Sequence, residues 1–189
     1  MCIRDSDLIK SKEELVKIIE DIAKSMSELF NKQFGVIQKE FGRVFKILFN
    51  GGEARLILTQ PDDLSESGVD IIARPPKTKL KNISALSGGE KSLAACALIF
   101  AILKIKPAPF CVMDEIDAAL DDANVGRFCE YLKSISNDNQ IILVTHKKRT
   151  MQAASSLYGV SVAADGITNV FSVKLSQINE RGHVYEQQA

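Results

Sequence analysis

Residues 110–122, FCVMDEIDAALDD, decide how this chain folds. Four apolar residues run straight into an acidic pair, Asp114 and Glu115, and more acids lead into a helical stretch beginning near residue 122. A short, wholly apolar run reads as a strand buried on both faces. Acids at its exit then stand at the C-terminal edge of a sheet, where open α/β sheets take their ligands.

Working outward, IILVT (141–145) is a second strand of the same kind, and His146 follows it directly. Helices are expected over about 88–105, 122–136 and 147–155. ARLILTQ (54–60), VDIIA (69–73) and closing segments at 157–163 and 167–174 complete the strands, with a basic linker KTKLK at 77–81. Apolar strands alternating with helices make an α/β fold with a mixed, largely parallel sheet flanked by helices. No internal repeat or low-complexity segment interrupts it.

The first forty residues have a different period. Leu8, Leu15, Ile22, Leu29 and Val36 recur every seven residues, with Ile19 and Met26 interleaved and Lys12 and Gln33 as polar lapses. Such a stripe belongs to a helix packed as in a coiled coil, or to an amphipathic surface helix. Phe34, Phe41 and Phe45 thicken the apolar face, as where a stalk enters a globular body. The two glycines of FNGGEA (49–54) are expected to stop the helix.

Hydrophobic residues make up 46% of the chain and the formal net charge is zero. That is the profile of a globular protein, and bulk charge therefore offers no argument for nucleic acid or a membrane surface. The longest apolar run, Leu93 to Leu103, is shorter than the roughly 20 residues a membrane span needs, and the opening MCIRDSDLIK lacks the apolar core of a secretory signal. The four cysteines show no metal-ligand spacing, and Cys96 and Cys111 read as buried thiols in a reducing, cytosolic setting.

LSGGEKSLAACALIFAIL (86–103) carries a second chemical feature. Ser87 and Glu90 are spaced as a capping box at the start of an apolar helix, which is a structural role. Gly88 and Gly89, however, remove side chains where a ligand needs close backbone approach, and a helix N-terminus suits a phosphate. A phosphate-binding P-loop needs Gly-x4-Gly-Lys-Ser/Thr; here Glu90 separates Gly89 from Lys91, and no other stretch fits. Asp114 suits a Mg²⁺ ion and Glu115 the activation of water. Asp117, Asp121 and Asp122 crowd the same nine residues, so a solvated acidic loop is the plain alternative. His146, at a strand end, could donate to a phosphate or hold a water; His183 carries no signal.

LSGGE, a strand ending in Asp-Glu, AALD, and a strand ending in Thr-His follow the order of ATP-binding cassette ATPases. LSGGEKSL, ALIFAILKIKPAPFCVMDEIDAALDDANVGRF and LYGVSV closely resemble the C-terminal half of the ATPase head of bacterial structural-maintenance-of-chromosomes (SMC) proteins, over roughly residues 34–175. The resemblance implies residues 1–36 as the end of a coiled-coil arm, 37–175 as the ABC-type C-terminal lobe and 176–189 as a frayed tail, and by it the first six residues read as foreign. It implies that Ser87, Gly88, Gly89 and Glu90 form the signature motif, which meets ATP held by an opposite head. Asp114 would be the Mg²⁺ ligand, Glu115 the catalytic base, Asp121 a D-loop residue at the head interface and His146 the switch histidine. Lys91 stands where many relatives have Arg and takes no catalytic role.

The cofactors implied are ATP and Mg²⁺. The partners are the P-loop-bearing N-terminal half of the same head, a second head, a kleisin subunit and double-stranded DNA, at the nucleoid in the cytoplasm. With its P-loop elsewhere, the chain is expected to be a fragment that is inactive alone. A coiled-coil DNA-repair ATPase and a non-enzymatic interaction module are the rival readings.

Overall fold

The computed structural model describes residues 3–61, 63–64, 66–163 and 166–174, with side chains from Leu8 to Ser172. The expected tail at 176–189, with His183, and Cys2 lie outside the described residues. Helix α1 runs unbroken from Ile3 to Leu48. Strands β1 (Glu53–Leu58), β2 (Val69–Arg74) and β3 (Lys81–Asn82) follow, then a 3₁₀ turn at Ile83–Ala85. Helix α2 (Gly88–Ile105), β4 (Phe110–Asp114), α3 (Asp122–Ile135), β5 (Gln140–Val144), the short α4 (Lys148–Met151), and β6 (Ser156–Val162) with β7 (Thr168–Lys174) complete the order.

The helix stop differs in detail from the sequence reading. Asn50 takes the first left-handed position with φ 54°, and Gly51 and Gly52 follow it at positive φ, 124° and 74°. Gly51 N–H donates to the carbonyl of Lys46 at 2.8 Å and Asn50 N–H to that of Ile47 at 3.2 Å. This is a Schellman closure, in which asparagine substitutes for glycine at the left-handed position. The linker at 77–81 also hides structure, because Lys81 and Asn82 pair with Ala73 and Ile72 as an edge strand.

The core is helical. Apolar on nearly every side, α2 buries Leu93, Ala94, Cys96, Ala97, Phe100 and Ala101. From α1 it receives Phe41, Val44, Phe45 and Leu48, and from α3 Val125, Phe128 and Tyr131. Phe100 sits 5.7 Å from Phe128 and 5.0 Å from Tyr131, ring centre to ring centre, so aromatic contacts lock α2 to α3. Lys104 of α2 pairs at 2.8 Å with Glu40 of α1. The N-terminal part of α1 packs on nothing described. Leu8, Leu15, Ile22, Met26 and Leu29 are all exposed, and burial begins between Phe34 and Phe41.

Among the described residues the strands form three small sheets rather than one. β1, β2 and β3 are antiparallel neighbours, β4 and β5 form a parallel pair, and β6 and β7 make an antiparallel hairpin. The expectation of a sheet covered on both faces fails for β4–β5. Cys111, Met113, Ile141 and Leu143 face the helical core. On the other side Phe110 and Val112 are 57% and 58% exposed, and Ile142 and Val144 are open beside them. The physical reason is simple: a run of apolar residues states that both faces want cover, not which polypeptide supplies it.

Candidate functional site

The parallel pair β4–β5 places the site. Asp114 is registered opposite Val144, so the two strands end level. Glu115, the next residue, has φ 46°, a left-handed turn that a side chain rarely adopts. Two bonds hold it there. Its N–H donates to the Val144 carbonyl at 2.9 Å, and its carbonyl accepts from Ala118 N–H at 3.0 Å. A backbone turn of this kind, costing about 1–3 kcal/mol, marks functional positions when the surroundings enforce it. From this turn the Glu115 carboxylate reaches His146, with Oε1 3.6 Å from Nδ1, and both side chains are open to solvent.

Asp114 and Glu115 are exposed, as are Asp121 and Asp122, but the fifth carboxylate of the cluster is not. Asp117 is fully buried. Its Oδ2 accepts from the Thr145 hydroxyl at 2.7 Å and from the Thr150 hydroxyl, while Oδ1 has no partner among the described residues. Exposure thus separates Asp117 from its four acidic neighbours, which face solvent.

Asp121 caps α3. Its Oδ1 accepts from Asn124 N–H at 2.7 Å and its Oδ2 from the Asn124 amide at 3.1 Å. Ser87 caps α2 by the expected reciprocal box. Ser87 N–H and Oγ–H both donate to Glu90 Oε2 at 2.9 Å, and Glu90 N–H donates back to Ser87 Oγ at 3.3 Å. Helix geometry leaves the N–H groups of Gly88 and Gly89 without intrahelical acceptors. A Cβ on Gly88 would meet nothing within 4 Å, whereas one on Gly89 would lie 3.3 Å from the Ala119 carbonyl oxygen. A side chain at the second position would sit tight against the Ala119 carbonyl, whereas the first leaves open space at the helix tip.

The structure thus brings Glu115 and His146 together, and sets the helix tip of Gly89 against the loop carrying Asp121. Among the described residues no group of three His, Cys, Asp or Glu side chains forms a metal-ion cluster. A single exposed Asp114 nevertheless fits magnesium, which usually takes one or two carboxylates and completes its shell with water and substrate phosphates. Of the basic triplet 147–149, two members are already engaged: Lys147 Nζ donates to the Leu120 carbonyl, and Arg149 to that of Asp122 at 2.8 Å. No helix among the described residues is long and apolar enough to cross a membrane.

Residues 7–169 match the family described as RecF/RecN/SMC N terminal domain. The chromosome partition protein Smc of Bacillus subtilis (strain 168) is 56% identical over 138 residues, which is 73% of this chain and 12% of that protein. Among solved structures, a chain from a study of ATP-driven dimerization and DNA-stimulated activation of SMC ATPases superposes with a TM-score of 0.73 at 43% identity, covering 79% of this chain and 91% of that one. The Smc head domain with an extended coiled coil, bound to the C-terminal domain of ScpA and derived from Pyrococcus furiosus, gives 0.75 at 42% identity, covering 92% of this chain and 43% of that one. The chain therefore spans only about an eighth of the curated relative it matches.

Proposed function

The chain belongs to the RecF/RecN/SMC N terminal domain family as a segment of an SMC head, and on that premise we propose that it is the C-terminal half of an ABC-type ATPase head. Its work is to bind and hydrolyse ATP between two engaged heads and so drive chromosome condensation and segregation on DNA. The observation that carries this reading is the meeting of Glu115 and His146 at 3.6 Å, on the rim of a β4–β5 pair whose outer face is bare. The rim supplies the chemistry of hydrolysis, and the bare face of Phe110, Val112, Ile142 and Val144 takes the half that carries the P-loop.

In this reading Glu115 orients a water on the γ-phosphorus and accepts its proton as the P–O bond to ADP breaks. His146, beside it, contacts the γ-phosphate. Asp114, with the phosphates, would hold Mg²⁺, whose charge neutralises the phosphate oxygens. Ser87, Gly88 and Gly89 serve the nucleotide of the opposite head, Gly88 and Gly89 through N–H groups at a helix N-terminus. Ser87 has one hydroxyl proton, now given to Glu90, so a phosphate contact requires that bond to be exchanged. Glu90, held back by the capping box, keeps its charge turned toward Ser87.

α1 would be the end of a coiled-coil arm, its exposed stripe awaiting a second helix. The kleisin is a partner by likeness to the ScpA-bound Smc head, and DNA a further one, at the nucleoid. With Lys147 and Arg149 engaged, the exposed lysines at 77–81 are the better candidates for phosphate contact. The test is reconstitution. The chain alone should not hydrolyse ATP, and mixing it with the P-loop-bearing segment of the same head should give turnover; hydrolysis by the chain alone would refute the reading.

A further inference from the structure

The sequence placed Asp117 in a crowd of acids, and nothing in the proposed chemistry uses it. Its position in the fold is nevertheless exceptional. It is a fully buried carboxylate with no ion pair among the described residues, and one oxygen takes both of its hydrogen bonds. Buried carboxylates are costly unless their bonds are strong, and hydroxyl-to-carboxylate bonds are of the strong, charge-assisted type. The donors are Thr145 and Thr150, which bracket His146 in sequence. A single oxygen therefore holds the histidine's loop from both flanks.

Three further bonds tighten the same seam. Lys147 N–H donates to Thr145 Oγ1 at 3.0 Å, so the hydroxyl that reaches Asp117 also fixes the peptide just after His146. Lys147 Nζ reaches the Leu120 carbonyl and Arg149 that of Asp122. The last two, like the Thr145 and Thr150 bonds to Asp117, run from the 145–150 segment to the 117–122 segment; the first ties the 145–147 backbone to the hydroxyl that makes one of those bonds. Gly89 rests on the same loop, its Cβ direction 3.3 Å from the Ala119 carbonyl oxygen and 4.0 Å from Asp121 N.

We infer that Asp117 is a positioning residue that joins the loop bearing Glu115 and Asp121 to the loop bearing His146, so that base, histidine and helix tip move as one piece. The inference rests on the ATPase reading above. Thr145 is the sharpest point to test, because valine keeps its shape and removes only the hydroxyl. Misplacing catalytic groups by about 1 Å can cost on the order of 100-fold. A partly loosened seam, with Thr150 still bonded, should cost less.

In the intact head, assembled with the P-loop-bearing segment, Thr145→Val should lower kcat about tenfold and leave the KM for ATP within about twofold. On a His146→Ala background the same substitution should lower kcat by less than about twofold further, since the group being positioned is gone. Asp117→Ala should lose at least as much as Thr145→Val. Asp117→Asn, whose carbonyl oxygen can accept both hydroxyls, should recover most of that loss. If Asp117→Ala fails to fold, the Thr145→Val pair decides. An unchanged kcat in Thr145→Val, or an equal loss on both backgrounds, overturns the inference alone while His146→Ala still reduces turnover. If His146→Ala leaves kcat unchanged, the catalytic reading falls and the positioning role with it.

Discussion

Glu115 Oε1 and His146 Nδ1 stand 3.6 Å apart, delivered by the ends of two parallel strands that finish level at Asp114 and Val144. Neither residue is placed by a flexible loop. Glu115 is turned by an enforced left-handed backbone, and His146 follows directly on the β5–Thr145 segment, which is bonded to Asp117.

In a reconstituted head, His146→Ala should therefore reduce kcat by about 10²-fold, the scale of a lost transition-state contact, with nucleotide binding preserved. Single-turnover hydrolysis alongside equilibrium ATP binding checks both halves of the statement.

Ser87 has two separable duties. Ser87→Ala removes the cap on α2 and should cost about 1 kcal/mol of stability, read from denaturant unfolding of the assembled head. Ser87→Arg fills the open space at the helix tip. It should abolish ATP-dependent pairing of heads, followed by size-exclusion chromatography, while ATP binding to the P-loop-bearing segment is unchanged.

The uncovered face of β4–β5 should dominate how the chain behaves alone. The chain should bind an apolar-surface dye, and that signal should fall when the P-loop-bearing segment is added. Val112→Glu should prevent this assembly while leaving the far-ultraviolet circular dichroism of the chain intact, because Val112 faces away from the helical core.

Much of this was legible in the sequence, for definite reasons. The capping box of Ser87 and Glu90, the strand exit at Asp114 and the apolar wrap of α2 are local patterns, and each appears within a residue or two of where spacing puts it. What escaped was non-local. Asp117 looks like its acidic neighbours until Thr145 and Thr150 fold over it, and periodicity says nothing about hydroxyls that lie elsewhere in the chain. The division into three sheets was equally hidden, because Val112 and Ile142 signal a need for cover without naming what provides it. The short β3 escaped because Lys81 and Asn82 have no strand preference and are held only by their pairing with β2.

Burial also sets the chain's behaviour in alkali. Desolvation pushes the Cys96 thiol up to about 12, with Asp117 adding to the rise, and raises Cys129 and Tyr131 in the same direction. In the unfolded chain Cys96 ionises from its ordinary 9.0, so above that pH the unfolded state holds fewer protons than the native one. Stability is then retained below pH 9 and lost between pH 9 and about 12, at up to about 1.4 kcal/mol per pH unit from this group. Denaturant midpoints across that range check the slope, and Cys96→Ala should flatten it. At pH 8 the native thiol should resist alkylation that the unfolded chain accepts.

The central claim is that Glu115 acts as the base for ATP hydrolysis in a head completed by another segment. Glu115→Gln keeps the size of the side chain and removes its ability to take a proton. The decisive measurement is ATP hydrolysis by the reconstituted Glu115→Gln head, with bound ATP quantified in the same samples. ATP should bind and hold the heads together while turnover falls by about 10²-fold or more. Turnover at the unsubstituted rate would contradict the claim.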